Sequence, residues 1–210
     1  MNDMGRARPL LETHRPAPDE VDLRGWEWRY LWQECQSDAL GVLCRYPPSA
    51  FSVAYSPDGR VLAVGGAMPD FIDIWDVPGR KRIATLQPKE GSLVAFSPRG
   101  DLLATDAGNQ IRLWRTGTWD PAGQLALAGN VQVCKFSPDG ARLASVNSPG
   151  EVTVWEVDQR TVFRRIFIAV IGESLFGDLD FSPDGKALVI GDHTGRLQVI
   201  DRPRKPTTKA

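Results

Sequence analysis

Ser56-Pro57-Asp58-Gly59 returns along the chain as Ser97-Pro98-Arg99-Gly100, Ser137-Pro138-Asp139-Gly140 and Ser182-Pro183-Asp184-Gly185, at spacings of 41, 40 and 45 residues. Each copy is followed, 17 to 19 residues after its serine, by Trp75, Trp114, Trp155 or Ile200. One unit is therefore written four times. A period of this length admits few architectures, because each unit must be one supersecondary element that buries its apolar faces against its neighbours. The recurring segment is itself a reversal of the chain. Proline presets φ for the second position of a type I turn, the serine and aspartate side chains bind local amides, and glycine suits the fourth position.

On either side of each turn the periodicity is two. Phe51, Val53 and Tyr55 alternate with Ser52 and Ala54, and Ile72, Ile74, Val152, Val154, Leu197 and Val199 alternate with other residues later in their units. Each unit reads as strand a, the Ser-Pro turn, strand b (Val61 to Val64, Leu102 to Ala104, Leu143 to Val146, Leu188 to Ile190), a loop, strand c ending at the tryptophan, and a more variable strand d. Four short strands in such a period predict an all-β chain built of propeller blades.

Ile74-Trp75-Asp76, Leu113-Trp114-Arg115, Val154-Trp155-Glu156 and Val199-Ile200-Asp201 resemble the blade endings of WD-repeat β-propellers, over roughly residues 39 to 201. The resemblance implies a propeller of WD-repeat type spanning 38–201, with four recognisable blades at about 46–88, 89–128, 129–172 and 173–201 and an additional strand at 39–44. It also departs from the family. The Gly-His pair that opens such repeats is absent, and Asp70, Asn109, Gly150 and His193 occupy the place of the loop aspartate. Apolar packing between sheets, more than an inter-strand hydrogen-bond tetrad, is therefore expected to hold the blades. Sixteen strands counted this way would make four full blades. A half-ring leaves apolar faces uncovered, so the expectation is a fragment of a longer propeller or a homodimer completing an eight-bladed ring, in preference to a four-bladed ring closed within one chain by segment 39–44.

Residues 1–20 carry Pro9, Pro16 and Pro18 and read as a proline-rich leader with at most a short helix around Leu10 to His14. An amphipathic helix is predicted over 21–37. At 100° per residue, Trp28, Leu31, Trp32 and Cys35 make one apolar stripe, and Leu23, Trp26 and Tyr30 a second on roughly the opposite side. Two stripes need two partners, one of them expected to be the propeller. The Arg24-Gly25-Trp26-Glu27-Trp28 stretch with Tyr30-Leu31 resembles the lead-in before WD-repeat regions of bacterial multidomain proteins, some with serine/threonine kinase domains. Residues 202–210 read as a disordered basic tail.

A net charge of −1 argues against duplex nucleic acid or an anionic membrane as partner. The longest apolar run, Ile166 to Ile171, is far short of a bilayer span, and the polar start is no signal peptide. Cys35, Cys44 and Cys134 are odd in number and widely spaced, so neither a disulfide framework nor a zinc site is indicated and a reducing cytoplasm is the expected location. Chemistry-bearing residues are sparse. His14 lies in the leader, and His193 beside Asp192 sits in a Gly-flanked loop without a nucleophile elbow. The turn carboxylates Asp58, Asp139 and Asp184 are accounted for by the turns. No cofactor or metal is expected.

What remains is a non-catalytic scaffold for a protein or peptide partner. Its binding candidates lie on the loops between strands b and c and between d and a: Met68, Asp70, Lys89, Glu90, Asp106, Asn109, Asn130, Asn147, Glu173, Asp192 and His193. The alternative is a propeller hydrolase or lyase with its site at the central channel. That needs carboxylates or histidines on the inner strands, and only Gly177-Asp178-Leu179-Asp180-Phe181 is acidic.

Overall fold

The computed structural model describes residues 9–16, 22, 24–34, 43–44, 46, 50–66, 71–87, 91–148, 150–168, 176–192 and 195–201. It divides into two compact units, Met1–Arg45 and Tyr46–Ala210.

The larger unit is a succession of antiparallel sheets, each a meander from one Ser-Pro turn to the next. The first contains β1 (Ala50–Tyr55), β2 (Val61–Gly66), β3 (Phe71–Asp76) and β4 (Lys81–Leu86), and the second β5 (Val94–Phe96), β6 (Leu102–Asp106), β7 (Gln110–Arg115) and β8 (Pro121–Ala126). The third contains β9 (Val131–Phe136), β10 (Arg142–Asn147), β11 (Glu151–Glu156) and β12 (Thr161–Phe167). The fourth has three described strands, β13 (Phe176–Phe181), β14 (Ala187–Asp192) and β15 (Leu197–Asp201). The first strands of successive sheets lie side by side, β1 by β5, β5 by β9 and β9 by β13, so the sheets fan out from a common inner edge.

Each turn closes through the residues that define it. Gly59 N–H donates to Ser56 O at 2.8 Å, with Gly59 at φ +70°, and the same bond recurs from Gly100, Gly140 and Gly185. Ser56 Oγ–H donates to Asp58 Oδ1 at 2.6 Å while the same oxygen accepts from Val61 N–H at 2.9 Å. Ser137 and Asp139 repeat the pattern at 2.6 Å, as do Ser182 and Asp184 at 2.7 Å. These bonds favour the ionised carboxylates. Asp184 is drawn down to about 2, first by the Ser182 hydroxyl, and Asp58 and Asp139 are lowered for the same reason. The second copy has Arg99 instead of aspartate. Its guanidinium reaches into the third sheet, to Asp139 O at 2.8 Å and Asp158 at 3.2 Å, so the turn lacking a carboxylate becomes a tie between sheets.

The core lies between the sheets, as the missing Gly-His pairs imply. Ala63, Ile72, Ile74 and Leu86 of the first sheet meet Val94, Leu103 and Trp114 of the second. Ala104, Ile111, Leu113 and Leu125 meet Phe136, Leu143 and Trp155 of the third. Val146, Val152 and Val154 meet Leu179, Leu188 and Ile190 of the fourth, with Ile200 packed alongside. Trp114 and Trp155 thus point at the preceding sheet. Trp114 and Trp155 are 7% and 4% exposed. Trp75 is only half-buried, because no described sheet precedes the first. Tyr46 covers it instead: Trp75 Nε1–H donates to Tyr46 Oη at 2.6 Å, Tyr46 Oη–H donates to Asp73 Oδ2 at 2.9 Å, and the phenol ring stacks on Phe71 at 5.0 Å. Remnants of a polar network survive unevenly. Trp114 Nε1–H donates to Thr105 Oγ1 at 3.0 Å, whereas Trp155 Nε1 and Ser145 Oγ, the same positions one sheet on, are buried without a hydrogen-bond partner among the described residues.

In the smaller unit the helix, α1 (Trp26–Glu34), begins later than the expected 21–37. Asp22 Oδ1 accepts from Arg24 N–H at 3.0 Å and the helix opens from Gly25, whose carbonyl takes Arg29 N–H at 3.3 Å. Trp28 and Trp32 stack at 5.1 Å. They lie against the leader, where Trp28 Nε1–H donates to Leu11 O at 3.2 Å and Arg15 sits over Trp32, while Leu31 of the same stripe is 43% exposed. Trp26 and Tyr30 of the second stripe stay exposed. Of segment 39–44, Leu43 and Cys44 are described and lie outside any strand, and the rest, like the tail 202–210, falls outside the described residues. Among the described residues no helix is long and apolar enough to cross a membrane.

Candidate interaction surface

Antiparallel meanders separate their connections by end. The a–b and c–d turns gather at one end of the sheets and the b–c and d–a loops at the other, so the described binding candidates Asp106, Asn109, Asn130, Asn147 and Asp192 fall to a single end. Backbone hydrogen bonds tie this rim loop to loop. Leu127 N–H donates to Asn109 O at 2.9 Å, Val131 N–H to Gly108 O at 3.2 Å, Ser148 N–H to Asn130 O at 3.1 Å and Ile168 N–H to Gly150 O at 3.1 Å. The second and third sheets are thereby joined through their loops.

The close approach depends on glycine. A Cβ at Gly129 would lie 2.2 Å from Ser148 O, one at Gly91 1.9 Å from Asp106 O, and one at Gly65 1.8 Å from Ser92 O. These distances lie far inside contact, so any side chain there would separate the loops. With their carbonyls engaged, Asn109 and Asn130 hold their side chains exposed, as does Ser148 between them.

The remaining candidates divide. Asp106 is half-buried, and its Oδ1 accepts from Leu93 N–H at 2.7 Å, where it shapes the loop entering the second sheet. Asp192 is half-buried, with Oδ1 accepting from Arg196 N–H at 3.1 Å across its own turn. Asn147 is not at the surface. It is 0% exposed, because β10 runs one residue further than the expected strand b and carries it inward, where Oδ1 accepts from Glu151 N–H at 2.9 Å. Met68, Asp70, Lys89, Glu90, Glu173 and His193 lie outside the described residues.

The opposite end holds a feature the sequence reading missed. A groove of about 510 Å³ runs between the first and second sheets, with Pro57, Asp58, Ile83, Phe96, Arg99 and Trp119 on its walls. Trp119 sits at φ +62° in the c–d turn, where the first and third sheets place Arg80 at +49° and Arg160 at +55°. This left-handed position aims a side chain back at the preceding sheet. Trp119 packs against the cluster between sheets one and two, and Arg160 Nη2–H donates to Ala122 O in β8. The signal lay in the equal spacing of these residues from their turns.

Among the described residues no group of three His, Cys, Asp or Glu side chains converges as a metal site. The inner strands β1, β5, β9 and β13 carry carboxylates only at Asp178 and Asp180, both exposed. Burial pushes the Cys134 thiol up to about 12, which makes it a core residue and no nucleophile.

No family model matches the chain. Similarity to curated proteins is broad. The chain is 25% identical over 154 residues to WD repeat-containing protein VIP3 of Arabidopsis thaliana, covering 65% of this chain and 48% of that one. It is 28% identical over 166 residues to a Periodic tryptophan protein 2 homolog of Neurospora crassa, covering 68% and 18%. To the human Telomerase Cajal body protein 1 it is 31% identical over 172 residues, covering 73% and 30%. The matched region thus spans about half of the plant protein and less than a third of the other two. Among solved structures, a chain of Kuenenia stuttgartiensis hydrazine synthase superposes with a TM-score of 0.66 at 20% identity, over 79% of this chain and 49% of that one, a likeness of fold alone.

Proposed function

Since the chain belongs to the WD-repeat proteins and has the sheet order of their propellers, we propose that it is a non-catalytic scaffold that binds a protein or peptide partner through the b–c and d–a rim. The observation that carries this reading is the hydrogen-bonded rim itself. Loops fixed by one another's backbone present Asn109, Asn130 and Ser148 without the entropy cost of ordering them on binding. Two exposed carboxylates on one inner strand are a poor start for an acid–base pair at the channel, which weighs against a propeller hydrolase or lyase. The four units act together as one platform, with residues 46–201 as the binding domain and the leader and helix as a separate element.

The reading is tested by two charge-altered chains. One carries Asn109→Arg and Asn130→Arg on the rim; the other carries Asp58→Lys and Asp158→Lys on the turn end. Partners captured by the wild-type chain and quantified by mass spectrometry should be lost from the rim variant and kept by the turn variant. Loss from the turn variant with retention by the rim variant would place the binding surface at the wrong end. Turnover in a broad hydrolase and lyase panel that disappears with Asp178→Asn would favour the enzyme.

A further inference from the structure

The two ends of the fan carry the same pair of faces that every internal junction buries. Register makes the comparison direct. Ile72 and Ile74, Ile111 and Leu113, and Val152 and Val154 occupy equivalent strand-c positions, each pair turned toward the following sheet and no member more than 8% exposed. In the fourth sheet those positions are Leu197 and Val199, paired with Gly191 and Val189, and they are 77% and 70% exposed. At the other end, Val94, Cys134 and Leu179 face the preceding sheet and are 8%, 5% and 1% exposed, while their equivalent Val53 is 65% exposed and Tyr55, one alternation on, 60%. Inside the fan, Val94 packs with Ile72 and Ile74, and Leu179 with Val152 and Val154. The residues left bare at one end are thus the kind that bury the residues left bare at the other.

We propose that the occupant of both faces is a second copy of this chain, the fourth sheet of each packing on the first sheet of its partner. Charge agrees with this pairing. The open face of the fourth sheet carries the exposed Asp180 and Asp201 and the first sheet the exposed Arg80, while Arg82 is engaged by Asp73 at 3.0 Å and Asp178 by Lys135 at 3.9 Å within the chain. Arg80 also stands at the turn position from which Trp119 and Arg160 reach back over the sheet before them, and at the first sheet that reach has no described target. Two such junctions per pair of chains bury both described apolar ends at once, a closed pair in place of an endless head-to-tail filament.

The test uses the full chain and multi-angle light scattering across a concentration series. The wild-type chain should have twice its 23.2 kDa mass. Val53→Arg alone and Val199→Glu alone should each be monomeric. An equimolar mixture of the two variants should recover dimer, because it offers one native junction and one that sets arginine against glutamate. Both positions are exposed in the chain, so near-ultraviolet circular dichroism should show each variant folded. A wild-type monomer at about 100 μM, well above the micromolar range of ordinary weak association, would overturn the proposal. So would a dimer that survives both single variants, which would point to the exposed Trp26 and Tyr30 instead, or a mixture that stays monomeric.

Discussion

Trp114 and Trp155 hold equivalent places in neighbouring sheets, yet changing each to phenylalanine should have unequal consequences. Both substitutions remove part of an indole buried to within 7% of full enclosure, roughly 40 Å² of apolar surface and about 1 kcal/mol at 25 cal/mol per Å². They part company over the N–H. Trp114 donates to Thr105 Oγ1 at 3.0 Å, so its replacement also leaves a buried hydroxyl without its partner, a further cost of about 1–3 kcal/mol. The Trp155 N–H is buried and unpartnered, so phenylalanine removes an orphan donor whose desolvation costs about the same amount. Trp114→Phe should therefore destabilise by about 2–4 kcal/mol, and Trp155→Phe should be close to neutral. Urea denaturation followed by far-ultraviolet circular dichroism reads the difference as a shift in midpoint at constant slope. Equal losses at the two positions would refute the reasoning, and a larger loss at Trp155 would mean that its N–H has a partner.

Gly65→Ala should destabilise by about 1–3 kcal/mol, since its Cβ would lie 1.8 Å from the backbone oxygen of Ser92 and the loop into the second sheet must move; thermal melts at matched pH give the value. Carboxyls held below their unfolded pKa stabilise the chain above that pKa and lose the contribution as pH falls through the folded value. Stability should therefore drop from pH 3.8 toward about 2 as Asp184 is protonated, and Asp184→Asn should flatten that part of the melting-temperature profile. Cys134 should resist alkylation in the native chain at pH 8 and react only on unfolding. Its raised pKa makes the folded state lose stability as pH climbs above 9, where the unfolded thiol ionises first, as mass spectrometry and alkaline melts respectively can show.

The sheets were readable in advance because their determinants are local. A turn of four residues, an alternation of period two and a tryptophan at fixed distance each act within one unit, and the strands fall where these place them. What escaped depends on neighbours far along the chain. Arg99 reads as a degraded turn until the third sheet brings Asp139 O and Asp158 beside it, 40 and 59 residues away. Trp75 holds the same place in its unit as Trp114 but has no described sheet before it, so Tyr46 takes on the covering role and the burial is partial. Asn147 has a loop residue's composition, and only the one-residue extension of β10 turns it inward. On the rim, the exposed Asn109 and Asn130 were legible as loop residues; the glycine contacts that rigidify the loops were not, because they join segments separated in sequence.

Hydrogen–deuterium exchange of the tryptophan indole N–H groups, followed by NMR with resonances assigned from single Trp→Phe variants, tests the stacking of each sheet on the one before it most directly. Trp114 and Trp155 should exchange only with global unfolding, Trp75 through the smaller opening that frees it from Tyr46, and the exposed Trp26 at once. Exchange of Trp114 and Trp155 as fast as Trp26 would mean that the strand-c tryptophans do not lie between sheets, and the propeller order would fall with them.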